Sequence, residues 1–416
     1  MLRSDRVRRG VLIASVAALA AVSACSSSGS PGTRPAGLPA WYDVPPSAAA
    51  HPGSPGTLIK SQKVGAVPGL HATVYRVMYA SESAQKTPSV VTGLVYVPLV
   101  PPPPGGYPVV SWGHGTNGMA PQCAPSLTPT SLSSDIDAFR NTLLDKGWEM
   151  VASDYQGEGT TGPLPYLVGS LAAQNTIDIV RAARHLDAAH ASVNYAVWGH
   201  SEGGQTAVFA DQMSGYAPEL HMVGVVAGAP PSQFNLIYQF LTTSPYRFYV
   251  YMVAVGYHSG YGDQAAPLGP VLTPLGQSLT PVVANGCFDY LQKTLDAYSL
   301  AQLLKGDPTS VPAWKALLAE NDPGQASGAS PVPLLIVQGG SDEQIPVAST
   351  ALLAQHLCGL GQPVQRWIYP GQNHDSVIQY YVPDMLRWLS ARFAGQPVSG
   401  ITPSGEPGAQ ITPCQA

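Results

Sequence analysis

The chain has 416 residues, 45% of them hydrophobic and only 11% charged, enough apolar material for one large domain with an insertion or for two modest domains. Its net charge is −5 and basic residues cluster only in the first ten positions, so nucleic acid is not an expected partner. The 43 glycines and 41 prolines suggest a loop-rich chain rather than a disordered one, because they do not gather into one block.

The amino terminus reads as an export signal. Arg3, Arg6, Arg8 and Arg9 precede an apolar run over residues 11–22 that is too short to span a bilayer. The run ends in Val22-Ser23-Ala24-Cys25, which resembles a bacterial lipobox, where cleavage before the cysteine accompanies its lipidation. Residues 1–24 are therefore expected to be removed, Cys25 to carry a lipid, and residues 25–55 to act as a flexible tether. The expected location is the cell envelope, lipid-anchored on the outer side of the membrane, or the medium. Without Cys25 four cysteines remain, Cys123, Cys287, Cys358 and Cys414. In an oxidising compartment these read as two disulfides with three possible connectivities.

Strand patterns follow at residues 72–78, 90–97 and 108–112. A helix is expected over 134–146, a strand over 148–153 and a helix over 171–186, where apolar residues recur at three and four. After a strand into Gly199 and a helix beyond it, strands are expected at 222–227, 333–337 and 364–369, with helices at 347–357 and 377–393. Alternating strands and helices imply an α/β fold with a mostly parallel sheet covered on both faces. The alternation breaks over 231–330, giving a core of 56–230 and 331–395 around an insertion, and residues 396–416 read as irregular. Nine aromatic side chains lie between Phe234 and Tyr261. They suit an inserted, mainly helical cap that offers apolar surface, with Phe234, Tyr238 and Phe240 as candidate substrate contacts.

Residues Gly199-His200-Ser201-Glu202-Gly203-Gly204 spell G-x-S-x-G between that strand and helix, the setting of a nucleophile elbow. A serine hydroxyl needs a base, normally a histidine oriented by a buried carboxylate, in the chain order Ser, acid, His. Asp342 lies in the turn after the strand at 333–337, with Glu343 as its rival. His374 lies in the loop after the last strand. His221, His258 and His356 are the other downstream histidines, and each reads more simply as structural or surface-exposed. Oxyanion donors are expected at the Glu202 backbone N–H and in Gly113-His114-Gly115-Thr116-Asn117-Gly118, at Thr116 or Asn117, with His114 shaping the loop and facing substrate. That loop also fits G-x-G-x-x-G, but Pro121 and Pro125 deny it the following helix that a dinucleotide requires. No cofactor is expected. Nor is a metal, since no Cys/His cluster has ligand spacing. The charged side chain of Glu202, expected at the pocket mouth, has no evident role.

With these residues placed, the chain resembles the secretory lipase family, best known from the fungal lipase A enzymes. The matching stretches include Val151-Ala152-Ser153-Asp154-Tyr155-Gln156-Gly157, the elbow, Tyr216-Ala217-Pro218-Glu219-Leu220, Asn285-Gly286-Cys287 and Asp342-Glu343-Gln344-Ile345-Pro346. The resemblance covers roughly residues 55–395 and implies an α/β-hydrolase core with an inserted cap, acting on carboxylic esters including acylglycerols. It also implies disulfides Cys123–Cys287 and Cys358–Cys414, the first tying the oxyanion loop to the cap. Two departures stand out. The fungal-type elbow usually has a smaller residue where Glu202 stands, and an acidic residue where this loop has Asn117. Beside a serine esterase, two readings stay open: a prolyl-type peptidase on the same fold, and a catalytically silent envelope protein that binds lipid. Acyl transfer to an alcohol would use the same machinery.

Overall fold

Ten strands form one sheet in the computed structural model, which describes residues 35, 37–65, 67–132, 134–397, 400–403 and 410–414. In chain order they are β1 (Leu58–Lys63), β2 (Ala72–Glu82), β3 (Pro88–Pro98), β4 (Tyr107–Gly113), β5 (Glu149–Ser153), β6 (Ala191–His200), β7 (His221–Gly228), β8 (Leu334–Gly339), β9 (Val364–Tyr369) and β10 (Gln410–Pro413). Their spatial order is β1-β2-β3-β5-β4-β6-β7-β8-β9-β10. The run from β5 to β9 is parallel. The β1–β2, β2–β3, β3–β5 and β9–β10 pairs are antiparallel. Every residue of β5, β8 and β9 is buried, as a parallel strand with helices on both faces requires.

Helices α1 (Pro46–Ala50), α2 (Ser134–Asp145), α3 (Gly169–Arg184) and α4 (Glu202–Gln212) precede the insertion. The insertion between β7 and β8 holds α5 (Phe234–Leu241), α6 (Phe248–Ala265), α7 (Pro274–Ser278), α8 (Thr280–Ala284), α9 (Phe288–Leu295), α10 (Leu300–Leu303) and α11 (Pro312–Glu320). Helices α12 (Val347–Gly359) and α13 (Ile378–Phe393) complete the chain's helical set among the described residues. The apolar faces of α3, α4 and α12 share one core with the sheet, and those of α2 and α13 share a second on the opposite face. A third core lies within the insertion, where Tyr251, Tyr257, Leu291 and Trp314 pack with Met119 and Tyr166 of the main body. Seven of the nine aromatics belong to this core, Phe248, Tyr251 and Tyr257 buried and Tyr238, Tyr246, Tyr249 and Tyr261 partly buried against it.

Three segments differ from the sequence reading. The stretch expected to be a tether contains α1, and Tyr42 just before it is fully buried with its hydroxyl on Ser126. Strand β1, Leu-Ile-Lys-Ser-Gln-Lys, escapes detection because it is a half-exposed polar edge, the composition that keeps sheet edges from pairing with other chains. The tail beyond residue 395 is not wholly irregular: β10 adds to the far edge, beside the Cys358–Cys414 disulfide. The proposed signal, Cys25 and the serine-rich stretch after it lie outside the described residues.

Candidate active site

Strand β6 ends at His200 and α4 begins at Glu202, leaving Ser201 alone between them at φ 59° and ψ −123°. A non-glycine residue in that region stores backbone strain and persists only where its surroundings enforce it. They do so here through glycines. A Cβ on Gly199 would stand 2.1 Å from the Gly203 carbonyl oxygen, and one on Gly203 would stand 2.0 Å from that of Gly113. The strand, the helix and the neighbouring strand β4 therefore meet at van der Waals limits. The Ser201 N–H donates to the Gly228 carbonyl at 2.9 Å, which pins the turn to β7.

Beyond β8, Asp342 is buried in the following turn and accepts from the N–H groups of Gln344 (2.9 Å) and Ile345 (2.8 Å). Gln338 donates to its other oxygen at 3.1 Å. His374, after β9, places Nδ1 3.0 Å from both Asp342 oxygens. The rival Glu343 instead accepts the backbone N–H of His374 at 3.2 Å. Adjacent acids thus divide the work: one faces the ring, the other fixes the loop. Burial opposes charge on Asp342, but the His374 ring and the hydrogen bonds outweigh it and hold the carboxyl below its ordinary value. Burial likewise opposes charge on His374, and the Asp342 carboxylate reverses the balance and raises the imidazole pKa. Nδ1–H directed at the carboxylate leaves Nε2 as the acceptor. Nε2 is buried without a protein partner, in a cleft that Ser201 also lines.

The loop after β4 closes over Ser201. A Cβ on Gly115 would lie 3.8 Å from the Ser201 Cβ, so the backbone of Gly115 and Thr116 passes directly above the serine. Neither the Thr116 nor the Glu202 N–H donates to a backbone carbonyl among the described residues. The Asn117 N–H likewise has no backbone acceptor, while its carbonyl accepts from Phe288 N–H at 2.8 Å and its side-chain amide meets His114 Nδ1 at 3.2 Å. The Cys123–Cys287 disulfide and the Met119 N–H on the Gly286 carbonyl tie this loop to the insertion.

Glu202 overturns its expectation. Its side chain is 2% exposed rather than at the pocket mouth, and it is hydrogen-bonded to Thr116 with Oε2 unpartnered. Burial, partly offset by Thr116, pushes its pKa up to about 8. The carboxyl is neutral at pH 7, which explains how an acid can follow the serine. Thr116 in turn bonds Tyr166 through the two hydroxyls at 2.9 Å.

Two cavities meet at Ser201. One is walled by Phe234, Ile237, Tyr238, Leu241, Val253 and Trp314. The other, larger one is bordered by the loop after β4, His374, Tyr246, Phe288 and Gln292. Phe234 and Tyr238 face the first cavity, whereas Phe240 does not: it is 40% exposed. On α5 the positions 234, 237, 238 and 241 share one face, and residue 240 falls outside it. His114 reaches the second cavity with a ring only 1% exposed, stacked on Tyr155 at 4.1 Å. It supports the loop more than it meets solvent. The downstream histidines His221, His258 and His356 lie elsewhere, bonded to Asn194, Ala266 and Ala326. Among the described residues no group of three or more His, Cys, Asp or Glu could hold a metal.

Sequence reasoning missed Gln338, Tyr166, Tyr249 and Gln344. Gln338 alone carried a signal, as an amide at the end of an otherwise apolar buried strand. It donates to Asp342 and accepts from Thr350.

A family model for secretory lipases matches residues 125–400. A protein of Mycobacterium tuberculosis named a probable inactive lipase is 25% identical over 386 residues, spanning 86% of this chain and 82% of that protein. A secreted triacylglycerol lipase of Malassezia globosa is 25% identical over 371 residues, spanning 82% of this chain and 79% of the relative. The crystal structure of Candida antarctica lipase A in its closed state superposes with a TM-score of 0.76 at 20% identity, covering 89% of each chain. The chain belongs to the secretory lipase family, carboxylic ester hydrolases of the α/β-hydrolase fold.

Proposed function

We propose that this chain cleaves carboxylic esters, acylglycerols among them, through Ser201, His374 and Asp342. The observation that carries the reading is His374, with Nδ1 3.0 Å from both Asp342 oxygens and an unpartnered Nε2 in the cleft of Ser201. Ser201 Oγ attacks the ester carbonyl while Nε2 takes its proton, and Asp342 holds the imidazole in the required tautomer and stabilises its charge. The oxyanion that forms accepts from the N–H of Glu202 and from that of Thr116 or Asn117, each donor contributing about 10²–10³ in rate. None of the three donates to a backbone carbonyl among the described residues. His374 returns the proton to the departing alcohol, and water then releases the acid by the same steps. An alcohol in place of water gives acyl transfer. The acyl chain lies along the apolar cavity beneath the 231–330 cap.

Export through residues 1–24 and lipidation at Cys25 belong to the same proposal, and the secreted relative supports the exported site of action. Labelled palmitate incorporated by wild type and not by Cys25→Ala supports the anchor; equal labelling contradicts it. For the chemistry, purified protein is expected to cleave p-nitrophenyl esters, with Ser201→Ala inactive. The inactive label on the Mycobacterium tuberculosis relative favours a silent lipid-binding protein as the second reading. No cleavage from short to long acyl chains would support it, and faster cleavage of prolyl peptides than of any ester would point to a peptidase.

A further inference from the structure

We infer that the preferred esters join an aliphatic acyl chain to a bulky, neutral, polyhydroxylated alcohol of the sugar or polyol type, and not to an alcohol bearing phosphate or carboxylate. The inference rests on the hydrolase reading above and concerns its leaving-group side. An ester carbonyl held at Ser201 has two arms, and the two cavities that meet there differ in kind. The walls of the smaller one are mainly hydrocarbon and aromatic, with Asp307, Thr309 and Gln344 among the polar exceptions, and burial of an acyl chain is favourable there in proportion to its area. The alcohol must then occupy the other cavity, the larger of the two.

The wall of the larger cleft is suited to hydroxyl groups. Gln292, Gln344 and Tyr246 bring amides and a phenol, groups that both donate and accept, to a lining that also holds the apolar Trp112, Leu132, Trp198 and Ile378. Tyr249 and Phe288, with ring centroids 6.3 Å apart, add flat apolar faces beside them.

The charge of the wall excludes anions. Asp289 and Asp375 line the cleft, and no lysine or arginine among the described residues lines either cavity. Nor do the two auxiliary imidazoles supply positive charge: burial pushes His114 down to about 4 and His200 to about 3. A phosphate on the alcohol would meet two carboxylates and neither lysine nor arginine, a juxtaposition that disfavours binding. The same acids beside aromatic rings would tolerate a cationic alcohol, but the amides and hydroxyls favour the polyol.

The test compares octanoyl esters that share one acyl group: methyl octanoate, 6-O-octanoylglucose, octanoylcholine, octanoylglycerol phosphate and p-nitrophenyl octanoate. The expected kcat/KM for the glucose ester is about tenfold or more above methyl octanoate, with the glycerol phosphate ester about tenfold or more below it. A glucose ester no better than the methyl ester, or a phosphate or choline ester cleaved as fast as the glucose ester, overturns the inference while leaving the hydrolase intact. Failure to cleave any of them, the p-nitrophenyl ester included, removes the hydrolase reading itself and this inference with it. Asp289, exposed on α9, supplies the second arm. Asp289→Lys should raise the phosphate-to-glucose ratio of kcat/KM about fivefold or more, and an unchanged ratio contradicts the role given to the cleft's charge.

Discussion

Replacing Glu202 with glutamine separates the burial of a neutral acid from that of a charged one. The carboxyl titrates near 4.5 when free and near about 8 in the folded chain, because it is buried beside Thr116 with one oxygen unpartnered. Below pH 4.5 folded and unfolded chains both hold the proton, and the site costs nothing extra. Between the two values only the folded chain holds it, so each rise of one pH unit favours unfolding by about 1.4 kcal/mol. From about pH 5 to about pH 8 the wild type should therefore lose on the order of 4 kcal/mol that Glu202→Gln does not lose. An amide without an acceptor at Oε2 adds a fixed cost, but it is the same at both pH values and cancels in the comparison. Urea unfolding of both proteins at the two pH values measures the difference directly. Parallel pH dependences, differing by less than about 1 kcal/mol, would refute the buried neutral carboxyl. The kinetic counterpart is an alkaline fall in wild-type kcat/KM near pH 8, as ionised Glu202 opposes the oxyanion, and its absence in the variant.

Asp342→Asn should lower kcat about 10⁴-fold by losing the tautomer that presents Nε2 as a base. Since the Asp342 carboxylate raises the His374 pKa, and the neutral ring is the active form, the acid limb of kcat/KM should move to lower pH in the same variant; an unmoved limb would separate His374 from the reaction. Gly203→Ala should destabilise by about 1–3 kcal/mol or more, or fail to fold, since its Cβ would stand 2.0 Å from the Gly113 carbonyl oxygen; thermal melting checks it, and a wild-type Tm contradicts the packing. The double variant Cys123→Ser, Cys287→Ser removes a 164-residue closure and should cost about 2–5 kcal/mol in denaturant titration. Tyr238→Ala should alter the acyl-length profile on p-nitrophenyl esters, whereas Phe240→Ala, on the outer face of α5, should leave it within about twofold; the reverse pattern would place the acyl chain elsewhere.

The parts of this protein that a linear reading reaches are those whose constraint is local. The elbow is legible because strand, glycines and helix are contiguous; the strand at 333–337 is legible because a buried parallel strand is an apolar run, and those at 108–112 and 148–153 because the run is broken only by Ser111, Glu149 and Ser153. Asp342 and Glu343 are inseparable by spacing, being neighbours; what each touches, the ring or the backbone N–H of His374, divides them. Burial of Glu202 is illegible because it depends on Thr116 and Tyr166, which the loop after β4 and the segment before α3 bring together across 50 residues. Edge strand β1 lacks the apolar pattern that marks inner strands because its outer half is exposed, and β10 is only four residues long. Phe240 shows the opposite error, an aromatic chosen for its company in sequence although helical geometry turns it outward.

The central claim is that Ser201 is a nucleophile activated by His374. A fluorophosphonate forms a stable adduct with such a serine, and peptide mass spectrometry locates it. The account predicts one adduct on the peptide containing Ser201, absent in Ser201→Ala and strongly slowed in His374→Ala. No adduct in the wild type, an adduct on another residue, or unchanged labelling in His374→Ala would contradict it.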